Sequence, residues 1–132
     1  MIPVEQTKLT YPDGNCMSAC LASILELTLD EVPCYVGDGW LEKYNQWLAS
    51  FNLTMVNLTY TSAEGEPWAP MGYSILAADS PRGEWLHAVV CHNGEVVWDP
   101  HPQREMGLKT KREWTVFLVL DPTRPVNQRS VQ

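Results

Sequence analysis

The sequence predicts one α+β domain, with N-terminal helices packed on an antiparallel β-sheet. Up to residue 51 the apolar residues recur with helical spacing, and beyond residue 52 they form short stretches separated by turn residues. Helices that precede strands in this way are typical of α+β folds. The chain of 132 residues is 45% hydrophobic and contains six tryptophans, which suffices for one packed core. We expect the domain to cover 1–121 and a loose, proline-containing tail to cover 122–132.

The first helix is predicted to begin at Cys16, directly after a turn at 11–15 (Tyr-Pro-Asp-Gly-Asn). Asp13 or Asn15 would cap its N-terminus. The helix should continue to about Leu27 because its apolar side chains share one face. Those side chains are Met17, Cys20, Leu21, Ile24 and Leu25.

A short helical turn and a second long helix are predicted next. Residues 28–31 (Thr-Leu-Asp-Glu) match a capping box, and Pro33 ends the turn that they open. The second helix is predicted over about 39–51, with Asp38 as its cap. Its apolar stripe, which we interpret as core packing, consists of Trp40, Leu41, Tyr44, Trp47, Leu48 and Phe51.

Five strands are predicted after residue 52, at 53–60, 73–77, 86–91, 95–98 and 114–120. The third and fourth form a hairpin, for which the sequence permits two registers. A two-residue turn at 93–94 would put Asp99 opposite Ala88 and point His87 to the other face. A three-residue loop at 92–94 would put His87 directly opposite Asp99. A hydrogen-bonded His87–Asp99 pair in a regular hairpin therefore predicts the three-residue loop.

Cys16 has the features of a catalytic nucleophile. It lies at a helix N-terminus, where unpaired N–H groups and the positive end of the helix dipole favour a thiolate. The polar turn before it should keep the thiol near the surface. His87 can take the thiol proton, and Asp99 on the next strand can orient the imidazole. Together the three residues predict a Cys-His-Asp catalytic triad.

Acyl chemistry also needs hydrogen-bond donors that bind the developing oxyanion. The backbone N–H of Cys16 is available at the start of the helix. The side-chain donor should come from just upstream, and Gln6 is the first candidate, with Asn15 second. The separation between Gln6 and Cys16 requires the Pro-Asp-Gly turn to loop out.

Each candidate residue also has a structural interpretation. Taken singly, Cys16 is a buried thiol, His87 a strand-end histidine, and Asp99 a turn residue before a proline. His101 is an alternative partner for the thiol, but it stands between two prolines, whereas His87 lies on a strand. A zinc site is a further alternative, although the chain has no Cys-x-x-Cys pair. We predict neither a cofactor nor a metal ion.

Charge and hydropathy limit the partners and the location. The net charge of −7 argues against binding to nucleic acid or to an anionic membrane surface. No apolar run approaches the ~18 residues of a membrane span, and the N-terminus lacks the pattern of a secretory signal. We therefore expect a cytoplasmic protein with reduced cysteines. Cys20, Cys34 and Cys91 are then expected to be small buried hydrophobic residues.

A family resemblance rests on five segments, which are 14–25 around Cys16, 29–33, 80–83, 87–90 (His-Ala-Val-Val) and 99–102 (Asp-Pro-His-Pro). Over roughly residues 5–108 the chain resembles small papain-like, C39-like cysteine peptidase-type proteins of phages and bacteria. The resemblance implies a papain-like fold with Cys16 as nucleophile, His87 as base and Asp99 as its orienting residue. A phage-encoded member would act in the host cytoplasm.

The expected function is that of a thiol hydrolase that cleaves an amide, peptide or isopeptide-like bond through a thioacyl-enzyme. An amine acceptor in place of water would make the same triad an acyltransferase. The substrate would be a peptide or a protein, and a host protein is one candidate. The alternative is a non-catalytic binding or inhibitor protein of phage origin on the same fold. The sequence does not determine the oligomeric state.

Overall fold

The computed structural model describes residues 1–59 and 68–126. It contains two α-helices, α1 (Cys16–Leu25) and α2 (Trp40–Leu48). The strands are β1 (Leu53–Thr59), β2 (Tyr73–Asp79), β3 (Leu86–His92), β4 (Glu95–Trp98) and β5 (Lys111–Val119). The prediction of an α+β architecture with the helices before the strands is confirmed.

The five strands form one antiparallel sheet with the order β1-β5-β2-β3-β4. Helix α1 packs against β3, and helix α2 packs against β1. Fully buried side chains between helices and sheet include Leu21, Leu48, Ile75 and Val90. Neither helix in the described part of the chain combines the length and apolar character that crossing a membrane requires.

The helix ends differ in part from the predictions. Helix α1 begins at Cys16 as predicted, but it stops at Leu25 because Glu26 adopts a left-handed conformation with φ of 58°. At α2 the N-cap is Gly39, with φ of 78°, and the prediction of Asp38 as the cap is wrong. Glycine enters this left-handed region without steric cost, so the chain turns into the helix one residue later than predicted.

The predicted capping box after α1 is confirmed. The backbone N–H of Thr28 donates to Glu31 Oε2 at 2.8 Å, and a single 3₁₀ turn follows over Leu29–Glu31.

Strand β5 is longer than predicted and lies inside the sheet, between β1 and β2. It begins at Lys111 instead of residue 114. Its first residues are polar, and one of them, Arg112, pairs with the Asp79 carboxylate at 2.7 Å at the end of β2. The hydropathy pattern therefore detects only the apolar second half of this strand. The last residue of the predicted first strand, 60, lies outside the described residues.

The start of the predicted tail is attached to the domain. Asn52 Nδ2 donates to the carbonyl oxygens of Asp121 and Arg124, and Val126 packs against the core. A buried amide side chain thus links residues 121–124 to the domain by hydrogen bonds. The rest of the predicted tail, 127–132, lies outside the described residues.

Candidate active site

The β3–β4 hairpin closes with a two-residue turn. His92 pairs with Glu95, and the intervening Asn93 and Gly94 have φ angles of 52° and 83°. Positive φ at both positions is the mark of a type I′ turn, which Asn-Gly favours because its twist matches that of the strands. The prediction of a three-residue loop is therefore wrong.

A register shift in β4 nevertheless brings Asp99 to the face of His87. Val97 is an extra residue opposite β3, so the side-chain alternation changes before Trp98. If the pairing of Trp98 with Val90 continued by one residue, Asp99 would lie opposite Val89. Val89 and His87 are two residues apart on β3, so their side chains are on the same face of the sheet. Asp99 and His87 would then be diagonal neighbours, which lie within reach of each other. The bulge thus places His87 and Asp99 on the same face of the sheet, as the predicted three-residue loop would have done.

His87 and Asp99 form a buried hydrogen-bonded pair. His87 Nε2 lies 2.6 Å from Asp99 Oδ1, and the two residues are only 3% and 8% exposed. The same carboxylate oxygen accepts the backbone N–H of His101 at 2.9 Å. Burial raises the pKa of Asp99, but the hydrogen bonds from His87 and His101 outweigh it and hold that pKa below its usual value. Asp99 therefore stays ionised and fixes the ring of His87.

Cys16 lies on the other side of the same imidazole. Burial lowers the pKa of His87, but the hydrogen bond to Asp99 and the interactions with Cys16 raise it to about 9. Because Nε2 faces Asp99, Nδ1 is the nitrogen left for the sulfur. Three separate elements, the start of α1, β3 and the segment after β4, thus bring the predicted triad together. Around neutral pH the sulfur lies beside an imidazolium.

Asn15 closes the loop that precedes the nucleophile. Its Oδ1 accepts the backbone N–H groups of Thr7 (3.0 Å) and Lys8 (2.9 Å), and its Nδ2 donates to Thr7 Oγ1. Its own backbone N–H donates to the Lys8 carbonyl at 3.2 Å. Residues 8–15 therefore loop out as expected, and Gln6 is brought near Cys16. The Asn15 side chain itself is occupied with this loop.

Gln6 is held in place at the cavity that contains Cys16. It is 6% exposed, its backbone N–H donates to the Pro100 carbonyl at 2.9 Å, and its Nε2 donates to the Lys8 carbonyl at 2.9 Å. Among the described residues its second Nε2 hydrogen has no acceptor. Of the two predicted oxyanion side chains, Gln6 is the one that lines the cavity with Cys16, and its Oε1 is buried without a hydrogen-bond partner.

A cavity of about 340 Å³ opens over Cys16 and His87. Cys16, Gln6, His87 and His101 line it, and further polar side chains in the wall are those of Thr10, Glu113 and Thr115. The rest of its wall is mainly apolar and aromatic, contributed by Leu9, Tyr11, Pro12, Met17, Tyr35, Val36, Trp40, Tyr44, Trp85 and Leu86. The helical stripe predicted Trp40 only as a core residue, because periodicity does not show that two loops fold over one end of the helix.

The other three cysteines differ in environment. Cys20 and Cys91 are fully buried, as predicted, and burial raises the pKa of Cys91 to about 12. Cys34 is exposed, so its predicted burial is wrong; it lies in the loop between the helices. Within 1–59 and 68–126, His, Cys, Asp and Glu side chains form no group of three or more suited to a metal ion.

Comparisons of the chain with protein-family models, with curated proteins and with solved structures gave no match. The case for a function therefore rests on the geometry of the chain itself.

Proposed function

We propose that the protein is a cysteine hydrolase of papain-like type that acts on an amide, peptide or isopeptide-like bond. The observation that carries the proposal is the buried contact between His87 Nε2 and Asp99, which leaves Nδ1 for Cys16 at the mouth of an apolar cavity. A structural histidine does not need an ionised buried partner on one nitrogen and a helix-terminal thiol on the other. In acyl transfer the histidine moves the proton between thiol and leaving group, and the carboxylate orients its ring.

In the first half of the reaction the Cys16 sulfur attacks the substrate carbonyl carbon, and the carbonyl π electrons move to oxygen. The backbone N–H of Cys16 and the free N–H of Gln6 would stabilise this oxyanion. When the C–N bond breaks, the His87 imidazolium gives its Nδ1 proton to the leaving amine. The products are a thioester on Cys16 and a free amine.

In the second half, neutral His87 takes a proton from water as the water oxygen attacks the thioester carbonyl. The C–S bond breaks, the acid leaves, and the sulfur keeps the bonding electrons beside the His87 imidazolium, as at the start. Asp99 keeps its charge throughout and holds the ring. An amine in the position of the water would give a new amide, so acyl transfer is the same chemistry with another acceptor.

The cavity limits what the site can accept. Its volume of about 340 Å³ is in the range of small-ligand pockets, and its apolar wall suits an uncharged side chain or acyl group. A peptide or protein substrate would therefore insert one short segment. We propose a peptide or protein with an exposed, uncharged segment as the substrate.

The proposal is tested by competition between two thiols of one molecule. With limiting iodoacetamide, Cys16 should be alkylated before Cys34, although Cys34 is the more exposed. Peptide mapping by mass spectrometry gives the ratio of the two products. His87→Ala should abolish the preference for Cys16, and His92→Ala, an exposed histidine on the same strand, should preserve it.

Preferential alkylation of Cys34 in the wild type would overturn the proposal. So would a Cys16 preference that survives His87→Ala, because it would show that the thiol is reactive without the histidine. Either result would leave the non-catalytic binding protein as the interpretation to pursue.

A further inference from the structure

His101 is a second buried histidine at the cavity, and its tautomer is set by the backbone. The N–H of Gln103 donates to His101 Nδ1 at 2.9 Å, so Nδ1 must be the unprotonated nitrogen and the ring hydrogen lies on Nε2. The main chain is held on both sides of the ring. The His101 N–H donates to Asp99 Oδ1 at 2.9 Å, and Arg104 Nη1 donates to the His101 carbonyl at 3.2 Å.

The ring of His101 is also held neutral. The residue is 4% exposed, and burial lowers its pKa, with further lowering by the positive charges of Arg82 and His87. A second ring proton on Nδ1 would also displace the hydrogen bond from Gln103. His101 is thus a fixed donor, in contrast to His87, which gains and loses a proton.

The free Nε2–H of His101 faces the site. The ring stands edge-on to that of His87, with 6.0 Å between centroids, and both line the cavity with Cys16. The preceding carbonyl, of Pro100, accepts the backbone N–H of Gln6, which places His101 beside that residue. Among the described residues no acceptor bonds to His101 Nε2. Because Nε2 is not among the buried polar atoms without a partner, this N–H is open to the cavity, where the acceptor of a ligand can bind it.

We propose that His101 binds the leaving half of the substrate through a hydrogen bond from Nε2–H to a carbonyl oxygen. The inference rests on the proposed function, since the leaving nitrogen must come within hydrogen-bonding reach of His87 to receive its proton. A group bound by His101, the neighbouring ring, therefore belongs to the leaving half. This favours leaving groups with a carbonyl a few atoms from the scissile nitrogen, as in an amino-acid residue, over simple alkylamines.

The experiment measures the attack of an amine on the acyl-enzyme. This step is the reverse of leaving-group departure, so the attacking amine binds where the leaving amine would bind. The full chain is acylated with p-nitrophenyl acetate, and mass spectrometry detects acetyl-Cys16. Glycinamide, which carries a carbonyl, then competes with n-propylamine, which does not, each corrected for its fraction of free amine. The ratio of the two N-acetyl products is compared between proteins, so that the intrinsic reactivities of the amines cancel.

Two variants of His101 separate the donor from the structural role. His101→Gln keeps an N–H near the place of Nε2, and His101→Asn keeps an acceptor for the Gln103 N–H but lacks that donor. We expect His101→Asn to lower the preference for glycinamide about fivefold, the worth of one hydrogen bond, and His101→Gln to retain most of it. The two amide products are counted per mole of acetyl-Cys16 in each protein, so that a change in acylation itself does not enter the ratio.

The outcomes distinguish the inference from the function on which it rests. Acetylation of Cys16 with equal preference in wild type and His101→Asn would overturn the inference and leave the hydrolase intact. An equal loss in His101→Gln and His101→Asn would also overturn it, because the ring would then matter only for packing. Failure of the wild type to form acetyl-Cys16 would overturn the hydrolase and the inference together.

Discussion

The His87–Asp99 pair should make the stability of the protein depend on pH in the alkaline range. The pKa of His87 is about 9 in the folded protein, against an ordinary value of 6.5 for an unfolded chain. Between these values the folded state keeps a proton that the unfolded state has released. The stabilisation is therefore complete below about pH 6.5, declines through this window and is lost as the pH rises through about 9.

The size of the effect follows from the two pKa values. They differ by about 2.5, and each pKa unit corresponds to about 1.4 kcal/mol, so the total is about 3 kcal/mol. Little solvent screening applies, since His87 and Asp99 are 3% and 8% exposed. Protonation of His87 should thus be one of the larger single contributions to a stability that is typically about 5–15 kcal/mol.

Urea unfolding of wild type and His87→Gln at several values between about pH 6 and pH 10 measures this contribution. The difference in unfolding free energy between the two proteins should fall by about 3 kcal/mol over the range, and the subtraction removes the titration of the tyrosines and of the cysteines that do not contact His87. His92→Gln, which removes an exposed imidazole from the same strand, should follow the wild type. A wild-type minus His87→Gln difference that stays constant with pH would refute the ion pair.

Three further predictions concern the rest of the domain. Burial raises the pKa values of Cys20 and Cys91, so both thiols should react with dithiodipyridine only when the protein is unfolded. Peptide mapping after labelling with and without urea measures this. Labelling of either thiol in the folded protein would contradict its burial. Gly83→Ala places a Cβ against the Trp85 ring, so it should lower the free energy of unfolding in urea by about 1–3 kcal/mol and shift the tryptophan fluorescence emission. Unchanged emission would mean that the Trp85 ring does not lie against Gly83. Asn52→Ala should lower the unfolding free energy by about 2–4 kcal/mol, because φ is 62° there and at least three hydrogen bonds are lost. A loss below about 1 kcal/mol would show that the C-terminal segment does not depend on this amide.

Much of the local structure was accessible from the sequence. The start of α1 at Cys16, the capping box at 28–31 and the β3–β4 hairpin follow from turn residues, capping residues and apolar periodicity, all of which act over a few positions. The apparent Asp38 cap failed for the same local reason, since the adjacent Gly39 offers a cheaper left-handed turn. The polar start of β5 was missed because pairing with both neighbouring strands, and not hydropathy, extends it.

The candidate site was likewise only partly predictable from the sequence. The residue types and their order suggested Cys16, His87 and Asp99, but the hairpin turn itself predicted the wrong face for Asp99. Only the bulge at Val97 brings Asp99 to the face of His87. The bulge depends on the pairing of β4 with β3, which the residues of the turn alone do not determine. The sequence presents His101 only as an alternative to His87, because nothing in it shows that a backbone N–H fixes the tautomer of His101.

The sequence by itself determined the elements of this protein and the chemical groups that they carry, because caps, turns and periodicity depend on neighbours in the chain. The tertiary structure decided the order of the sheet, the burial of the His87–Asp99 pair and the cavity beside Cys16. These features join residues as far apart as 6 and 100, and their free energy comes from contacts that exist only once the chain has closed on itself.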